Sequence, residues 1–210
     1  MGKIIAFANQ KGGVGKTTSC VNIAASLGIL GYKVLMIDLD PQGNATSGVG
    51  ISKKGLKATT KELLTGEIPV DQIIQETPYK NLHVIPTNTA LAGAEFELFD
   101  IDEPEFRIKK GLESVKDNYD YILIDCPPSL GMLTINAFTA SDGVIVPMQC
   151  EFYALEGLSQ LMVTINRIKR MYNPELSITG ILITMFNGRL LLSMQVIAEL
   201  DKHYSDKIFR

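Results

Sequence analysis

Short apolar runs bounded by turn-forming residues recur along the chain, with stretches of helical spacing between them. The apolar runs predict strands at 3–8, 33–38, 82–85, 121–125, 143–147 and 178–185. Helical spacing predicts helices at 16–30, 60–64, 90–99, 104–116, 131–139, 154–171 and 191–203. Several strands are nearly continuous Ile, Leu and Val, which is typical of parallel strands buried on both faces. The alternation predicts an α/β fold with a mostly parallel central sheet covered by helices on both faces.

Length and composition narrow the class of protein. At 210 residues, with no linker-like stretch, the chain is expected to form one domain over residues 1–210. No apolar run reaches the roughly 20 residues that span a bilayer, and a strand begins almost at once, so we expect a cytoplasmic protein without membrane association. The cysteines Cys20, Cys126 and Cys150 lie far apart and form no metal-binding pattern, which favours reduced, packed thiols.

Charge is unevenly distributed. The net charge is −3, yet residues 161–210 carry seven Lys/Arg against four Asp/Glu. This basic region allows a local patch for nucleic acid, but the signal is weak and a solvated helix face is the default interpretation.

The segment 9–18, NQKGGVGKTT, lies between a strand and a helix, where backbone N–H groups can surround a phosphate. Lys16 is predicted to reach the β- and γ-phosphates and Thr17 to bind Mg²⁺. The pattern GxxxxGK(S/T) is not fully met, because Gln10 occupies the first glycine position. A second lysine, Lys11, begins the glycine-rich part of the loop.

Two further strands end in carboxylates at the edge of the sheet where ligands bind. Asp38 and Asp40 alternate at the end of the second strand, where they could orient water or help to hold Mg²⁺. They could also simply cap the turn that follows. Asp125 ends an apolar strand in the Walker B arrangement, which supports the metal ion.

Later strand ends supply weaker candidates. Glu151 and Glu156 could face the nucleotide or a partner subunit, or they could be ordinary acids at the start of a helix. Asn187 carries an amide that suits an adenine edge. Arg189 is a candidate contact for an anionic polymer, or a solvated arginine.

Several segments together resemble the ParA/Soj-type partition ATPases, of the deviant Walker A group that also contains MinD-like proteins. They are KGGVGKTT, DLDPQGNATSG, LHVIPTNTALAGAE, YDYILIDCPPSLGMLTINA, VPMQCEFYALEGLSQL and GILITMFNGR. The resemblance extends over nearly the whole chain and implies a three-layer P-loop NTPase fold. It implies a slow ATPase in which Mg²⁺-ATP drives formation of a sandwich homodimer that binds non-specific DNA, so that the protein associates with the nucleoid. Hydrolysis, stimulated by a ParB/Spo0J-like centromere-binding partner, would reset the cycle.

The resemblance also implies roles for individual residues. Lys11 would reach the phosphates of the partner subunit, Asp40 would position the attacking water, and Arg189 would contact DNA. Lys16, Thr17 and Asp125 would keep the roles given above. Asp38 stays a metal candidate from its position at the strand end alone. The remaining expected nucleotide contacts are Gly12, Gly13, Val14, Gly15, Thr18 and Asn187.

Two departures from the family pattern leave alternatives open. Polar positions after Arg189 are replaced by Leu190, Leu191 and Leu192. Relatives are also expected to continue past the equivalent of Arg210 with a strand, a loop and a final helix. A nucleotide-binding module of the same fold without DNA-binding activity is therefore one alternative. A MinD-like positioning ATPase is another, although it would need an amphipathic C-terminal helix.

Overall fold

The protein was analysed as a computed structural model that describes residues 2–209. Its strands are β1 (Lys3–Phe7), β2 (Val34–Asp38), β3 (Gln75–Glu76), β4 (Leu82–Ile85), β5 (Tyr121–Asp125), β6 (Gly143–Met148) and β7 (Ser177–Ile183). Within the described residues they form one seven-stranded sheet in the order β3-β4-β2-β5-β1-β6-β7. All neighbouring pairs are parallel except β3 with β4.

Helices connect the parallel strands. They are α1 (Lys16–Ile29), α2 (Asn44–Gly48), α3 (Thr60–Thr65), α4 (Val70–Ile73), α5 (Leu91–Glu97), α6 (Arg107–Leu112), α7 (Met132–Ala140), α8 (Ala154–Met171) and α9 (Leu191–Tyr204). Such crossovers are what parallel strands require, since a tight turn can join only antiparallel neighbours.

Alternation along the buried strands divides the core into two layers. In β1, Ile4 and Ala6 pack into the cluster beneath α3 and α5–α9, whereas Ile5 and Phe7 pack against α1 and α2. Successive side chains of a strand point to opposite faces, so every central strand contributes to both layers. The three-layer α/β architecture predicted from the sequence is confirmed.

The differences from the predicted elements are local. The short elements α2, α4 and β3 have no counterpart among the predictions. The two-residue β3 exists through its pairing with β4, which no periodicity in its own sequence can signal. The predicted helix 104–116 divides into a 3₁₀ turn and α6. The predicted strand 178–185 ends earlier, at Ile183, and Met185 has a φ of 50°.

The parallel register aligns the strand ends that carry the predicted site. Asp125 lies opposite Phe7 on one side and Asp38 on the other. The loops after β1, β2 and β5 therefore leave the sheet at one edge. This is the edge at which open α/β sheets bind ligands.

Residues 207–209 lie beside β7, where Ile208 forms a parallel bridge with Ile181. Arg210 itself lies outside the described residues. One domain over 1–210 stays a prediction, and its first and last residues also lie outside the described range. None of the helices within residues 2–209 is long and apolar enough to cross a membrane.

Candidate nucleotide site

The loop between β1 and α1 has the backbone geometry of an anion cradle. Gly13 and Gly15 have φ values of 75° and 87°, a region that residues with a Cβ adopt only with strain. Gly15 is the N-cap of α1 and makes no side-chain capping bond. The N–H groups of the first helical turn and the positive end of the helix dipole therefore face the loop, where an anion is stabilised.

Lys16 places a buried cation at the start of this helix. Its side chain is only slightly exposed, and its Nζ donates a hydrogen bond to the carbonyl oxygen of Lys11 at 3.1 Å. Burial lowers the pKa of Lys16, and the nearby carboxylates of Asp125 and Asp40 partly oppose that effect. A phosphate would compensate for the lost hydration of this ammonium.

Thr17 and Asp125 form the second part of the site. The Thr17 hydroxyl donates to Oδ2 of Asp125 at 2.7 Å. Asp125 is fully buried, and its Oδ1 has no hydrogen-bond partner among residues 2–209. Burial raises the pKa of Asp125 to about 7, against the lowering effects of Thr17 and Lys16. A buried carboxylate oxygen without a donor fits a bound cation or its water.

The described residues contain no group of three or more His, Cys, Asp or Glu side chains that could hold a metal alone. The Thr17 hydroxyl and the Asp125 carboxylate suit Mg²⁺, which usually takes one or two protein oxygens and completes its shell with water and phosphate. The three cysteines are buried free thiols, as the sequence predicts.

Asp38, a predicted metal ligand, accepts hydrogen bonds from within the protein. It is fully buried, and its Oδ2 accepts bonds from both the backbone N–H and the hydroxyl of Thr46, each at 2.7 Å. Its Oδ1 accepts the N–H of Asp40 at 3.2 Å. Burial raises the pKa of Asp38 to about 6, while the bonds from Thr46 oppose that rise. These contacts do not favour a metal-ligand role, which stays an untested prediction.

Thr46 makes Asp38 the centre of a buried polar network. Its hydroxyl accepts the N–H of Thr87 at 2.9 Å, and the hydroxyl of Thr60 donates to the carbonyl oxygen of Asp38 at 2.7 Å. The network joins the loop after β2 to the segments at 60 and 87. Nothing in the sequence distinguishes Thr46, because a threonine in a polar segment carries no characteristic pattern.

Asp40 lies on the exposed side of this network. It is half-buried, and its Oδ1 accepts the N–H of Gln42 at 3.0 Å. Its carbonyl oxygen accepts the N–H of Gly43, which has a φ of 63°. Asp38 therefore fixes the loop from within, and Asp40 borders the cleft.

These elements enclose a cleft of about 400 Å³. Seven predicted site residues line it, namely Gly12, Gly13, Gly15, Lys16, Thr17, Thr18 and Asp40. Asn44, Pro128 and Met185 also line it and were not among the predicted site residues. Val14 is buried behind the loop, where its carbonyl oxygen accepts the hydroxyl of Thr184 at 2.7 Å.

Lys11 lies outside the lining of the cleft and pairs with a residue of its own chain. Its Nζ forms an ion pair with Oε2 of Glu151, and its backbone N–H donates to Oδ1 of Asn9 at 3.0 Å. The structure thus brings together one of the two glutamates noted after β6 and the lysine at the head of the loop.

Asn187 and Arg189 lie on an exposed loop between β7 and α9. Oδ1 of Asn187 accepts the backbone N–H of Arg189 at 3.1 Å, so part of its amide shapes the loop. Asn187 does not line the cleft described above, although Met185, two residues earlier, does. The adenine role of Asn187 and the DNA role of Arg189 stay predictions.

Comparisons with known proteins agree with this geometry. The AAA domain family matches residues 2–178. The sporulation initiation inhibitor protein Soj of Bacillus subtilis is 54% identical over 210 residues, which cover 100% of this chain and 83% of that relative.

Two solved structures share the fold at appreciable identity. A plasmid partition protein of Borrelia burgdorferi matches with a TM-score of 0.81 at 31% identity, over 99% of this chain and 87% of that one. Cobyrinic acid a,c-diamide synthase of Mycobacterium smegmatis, with bound ADP and magnesium, matches with a TM-score of 0.91 at 38% identity, over 97% and 83%. With its glycine-rich loop, its second lysine and its identity to Soj, this chain belongs to the ParA/Soj family of partition ATPases.

Proposed function

We propose that the chain binds Mg²⁺-ATP in the cleft and hydrolyses it as the switch of a DNA-partition system. One observation carries the proposal: the buried Asp125 contacts Thr17 through Oδ2 and leaves Oδ1 without a partner among residues 2–209. Thr17 and Asp125 would hold Mg²⁺, directly or through water, and the ion would offset negative charge on the phosphates. The ADP and magnesium of the Mycobacterium smegmatis structure support this choice of ligands.

The glycine loop and Lys16 would hold the phosphates. The backbone N–H groups at the start of α1 and the buried Lys16 ammonium converge on the same cleft. In such a site catalysis is mainly positioning and electrostatic stabilisation of charge on the transferred group.

Asp40 is the residue that we assign to the attacking water. Among the cleft-lining residues it is the only carboxylate, and its backbone is fixed by Asp38 and Gly43. A carboxylate in this position can accept a hydrogen bond from water and orient it.

Lys11 would join nucleotide binding to dimerisation. It lies at the head of the phosphate loop with a side chain that is 39% exposed. A second copy docked across the cleft would place its phosphates within reach of this ammonium, so that ATP and the partner subunit bind together.

DNA binding and hydrolysis by the dimer complete the proposed cycle. Arg189 is exposed and would contact DNA phosphates, and a ParB/Spo0J-like protein would stimulate ATP hydrolysis. The dimer would be nucleoid-associated while ATP is bound. The kinship with Soj and with a plasmid partition protein supports this assignment.

A nucleotide-binding module without DNA binding is the second candidate. The exposed Leu190, Leu191 and Leu192, at 53%, 74% and 40%, favour it, because leucines beside Arg189 offer no hydrogen bonds to phosphate. ATP affinity without ATP-dependent DNA retention would support this candidate.

The test of the main proposal is hydrolysis by Asp40→Ala. We expect ATP binding within about threefold of the parent and turnover lower by about 100-fold or more, in line with loss of a group that positions a reactant. Asp71→Ala is the matched control, because Asp71 is an exposed residue of α4 and does not line the cleft. Turnover by Asp40→Ala at the parent rate would refute the role.

A further inference from the structure

The loop between β6 and α8, residues 149–153, carries the carboxylate that pairs with Lys11. The Lys11 and Glu151 side chains are 39% and 52% exposed. A pair with this exposure is open to water and can exchange partners without unfolding any part of the core.

The backbone on the lysine side is fixed. The backbone N–H of Lys11 donates a hydrogen bond to Oδ1 of Asn9, and the carbonyl oxygen of Lys11 accepts one from Nζ of Lys16. Nδ2 of Asn9 in turn donates to the carbonyl oxygen of Pro147 at 2.8 Å. The phosphate loop is thereby joined to the end of β6, from which the Glu151 loop emerges. Only the Lys11 side chain has to move to change its partner.

The loop that carries Glu151 is also held in place by hydrogen bonds. Nε2 of Gln149 donates to Sδ of Met185 at 2.9 Å, and the neighbouring Thr184 donates to Val14 in the phosphate loop. The Glu151 loop is therefore tied to the cleft at two places, through Lys11 and through Met185. Because both backbone segments are already positioned, mainly the loss of side-chain entropy opposes formation of the ion pair.

We propose that Glu151 is an autoinhibitory residue that holds Lys11 within its own chain. Lys11 can be used by a second copy only after it exchanges Glu151 for a phosphate. This inference rests on the proposed function, in which Lys11 acts across a dimer. The Lys11–Glu151 pair then raises the dissociation constant of the ATP-dependent dimer, because the pair must break in both chains when a dimer forms.

The size of the effect follows from the exposure of the pair. Exposed ion pairs shift an equilibrium by about 1.4- to 5-fold. Two pairs break for each dimer, so their effects multiply. Removing the carboxylate should tighten the dimer dissociation constant by about 2- to 25-fold.

The experiment measures the dimer dissociation constant of Glu151→Gln by sedimentation, with Mg²⁺ and a non-hydrolysable ATP analogue. Glu156→Gln is the matched control, because it removes the same charge from an exposed residue in the first turn of the adjoining helix α8. We expect Glu151→Gln to dimerise more tightly than the parent and Glu156→Gln to match it. The ratio of parent to Glu151→Gln constants should fall towards one as salt rises from about 50 mM to 500 mM, because salt screens an exposed pair.

The outcomes separate this inference from the proposed function. A parent that dimerises as tightly as Glu151→Gln, or more tightly, overturns the autoinhibitory role alone. Equal tightening by Glu156→Gln also overturns it, since general charge would then explain the effect. If the parent and Glu151→Gln both stay monomeric with the analogue, the inference and the proposed dimer switch are both overturned.

Discussion

Replacing Thr46 by valine tests whether the Asp38 network supports the catalytic loop. The side chains have nearly the same shape, so the change removes the hydroxyl that donates to Asp38 and accepts from Thr87. A hydrogen bond to a charged group contributes about 1.5–3 kcal/mol, and an unsatisfied buried N–H costs about 1–3 kcal/mol. We therefore expect Thr46→Val to lower the free energy of unfolding by about 3–5 kcal/mol.

The protein contains its own control for this experiment. Thr139 is equally buried, but its hydroxyl has no hydrogen-bond partner among residues 2–209. Thr139→Val should therefore change stability by less than about 1 kcal/mol. Urea unfolding of both variants measures the difference, and Thr46→Val should also melt lower by roughly 6–20 °C. Equal stability of the two variants would refute the reasoning.

Two further predictions concern charge. Burial raises the pKa of Asp125 to about 7, so its ionisation is easier in the unfolded chain, and this stability penalty is absent below pH 4 and complete above pH 7. Asp125→Asn should therefore be more stable than the parent at pH 8 by up to about 4 kcal/mol, with the gain lost near pH 4. Its Mg²⁺-dependent ATP binding should weaken. An equal gain in thermal stability at both pH values would contradict this. Arg189→Ala should weaken DNA retention and reduce the salt slope by about one contact for each arginine lost. Arg170→Ala, at an exposed position of α8, should leave both close to the parent values.

Residues whose role is set by local sequence could be predicted. The buried parallel strands have continuous apolar runs, and the glycine loop has a distinctive spacing. The position of Asp125 could be predicted because it ends such a strand directly beside that loop, while its role at the metal stays a prediction. For these residues, the local pattern and the register of the sheet give the same answer.

Residues whose role depends on distant partners could not be predicted. Asp38 and Asp40 alternate on one strand end, yet one is fully buried beneath Thr46 and the other borders the cleft. Glu151 lies 140 residues from Lys11, and nothing in either segment indicates their pairing. Met185 reaches the cleft through a left-handed backbone conformation, which is uncommon for any residue but glycine.

The most direct test of the central claim is the mass of the protein with and without Mg²⁺-ATP, measured by size-exclusion chromatography with light scattering. The parent and Lys11→Ala would be compared after ATP binding to each is confirmed, with Lys3→Ala, on the exposed start of β1, as the control. The account predicts a dimer with Mg²⁺-ATP for the parent and Lys3→Ala, and a monomer for Lys11→Ala. If Lys11→Ala formed a dimer at the ATP concentration at which the parent does, the proposed role of Lys11 across the dimer would be contradicted.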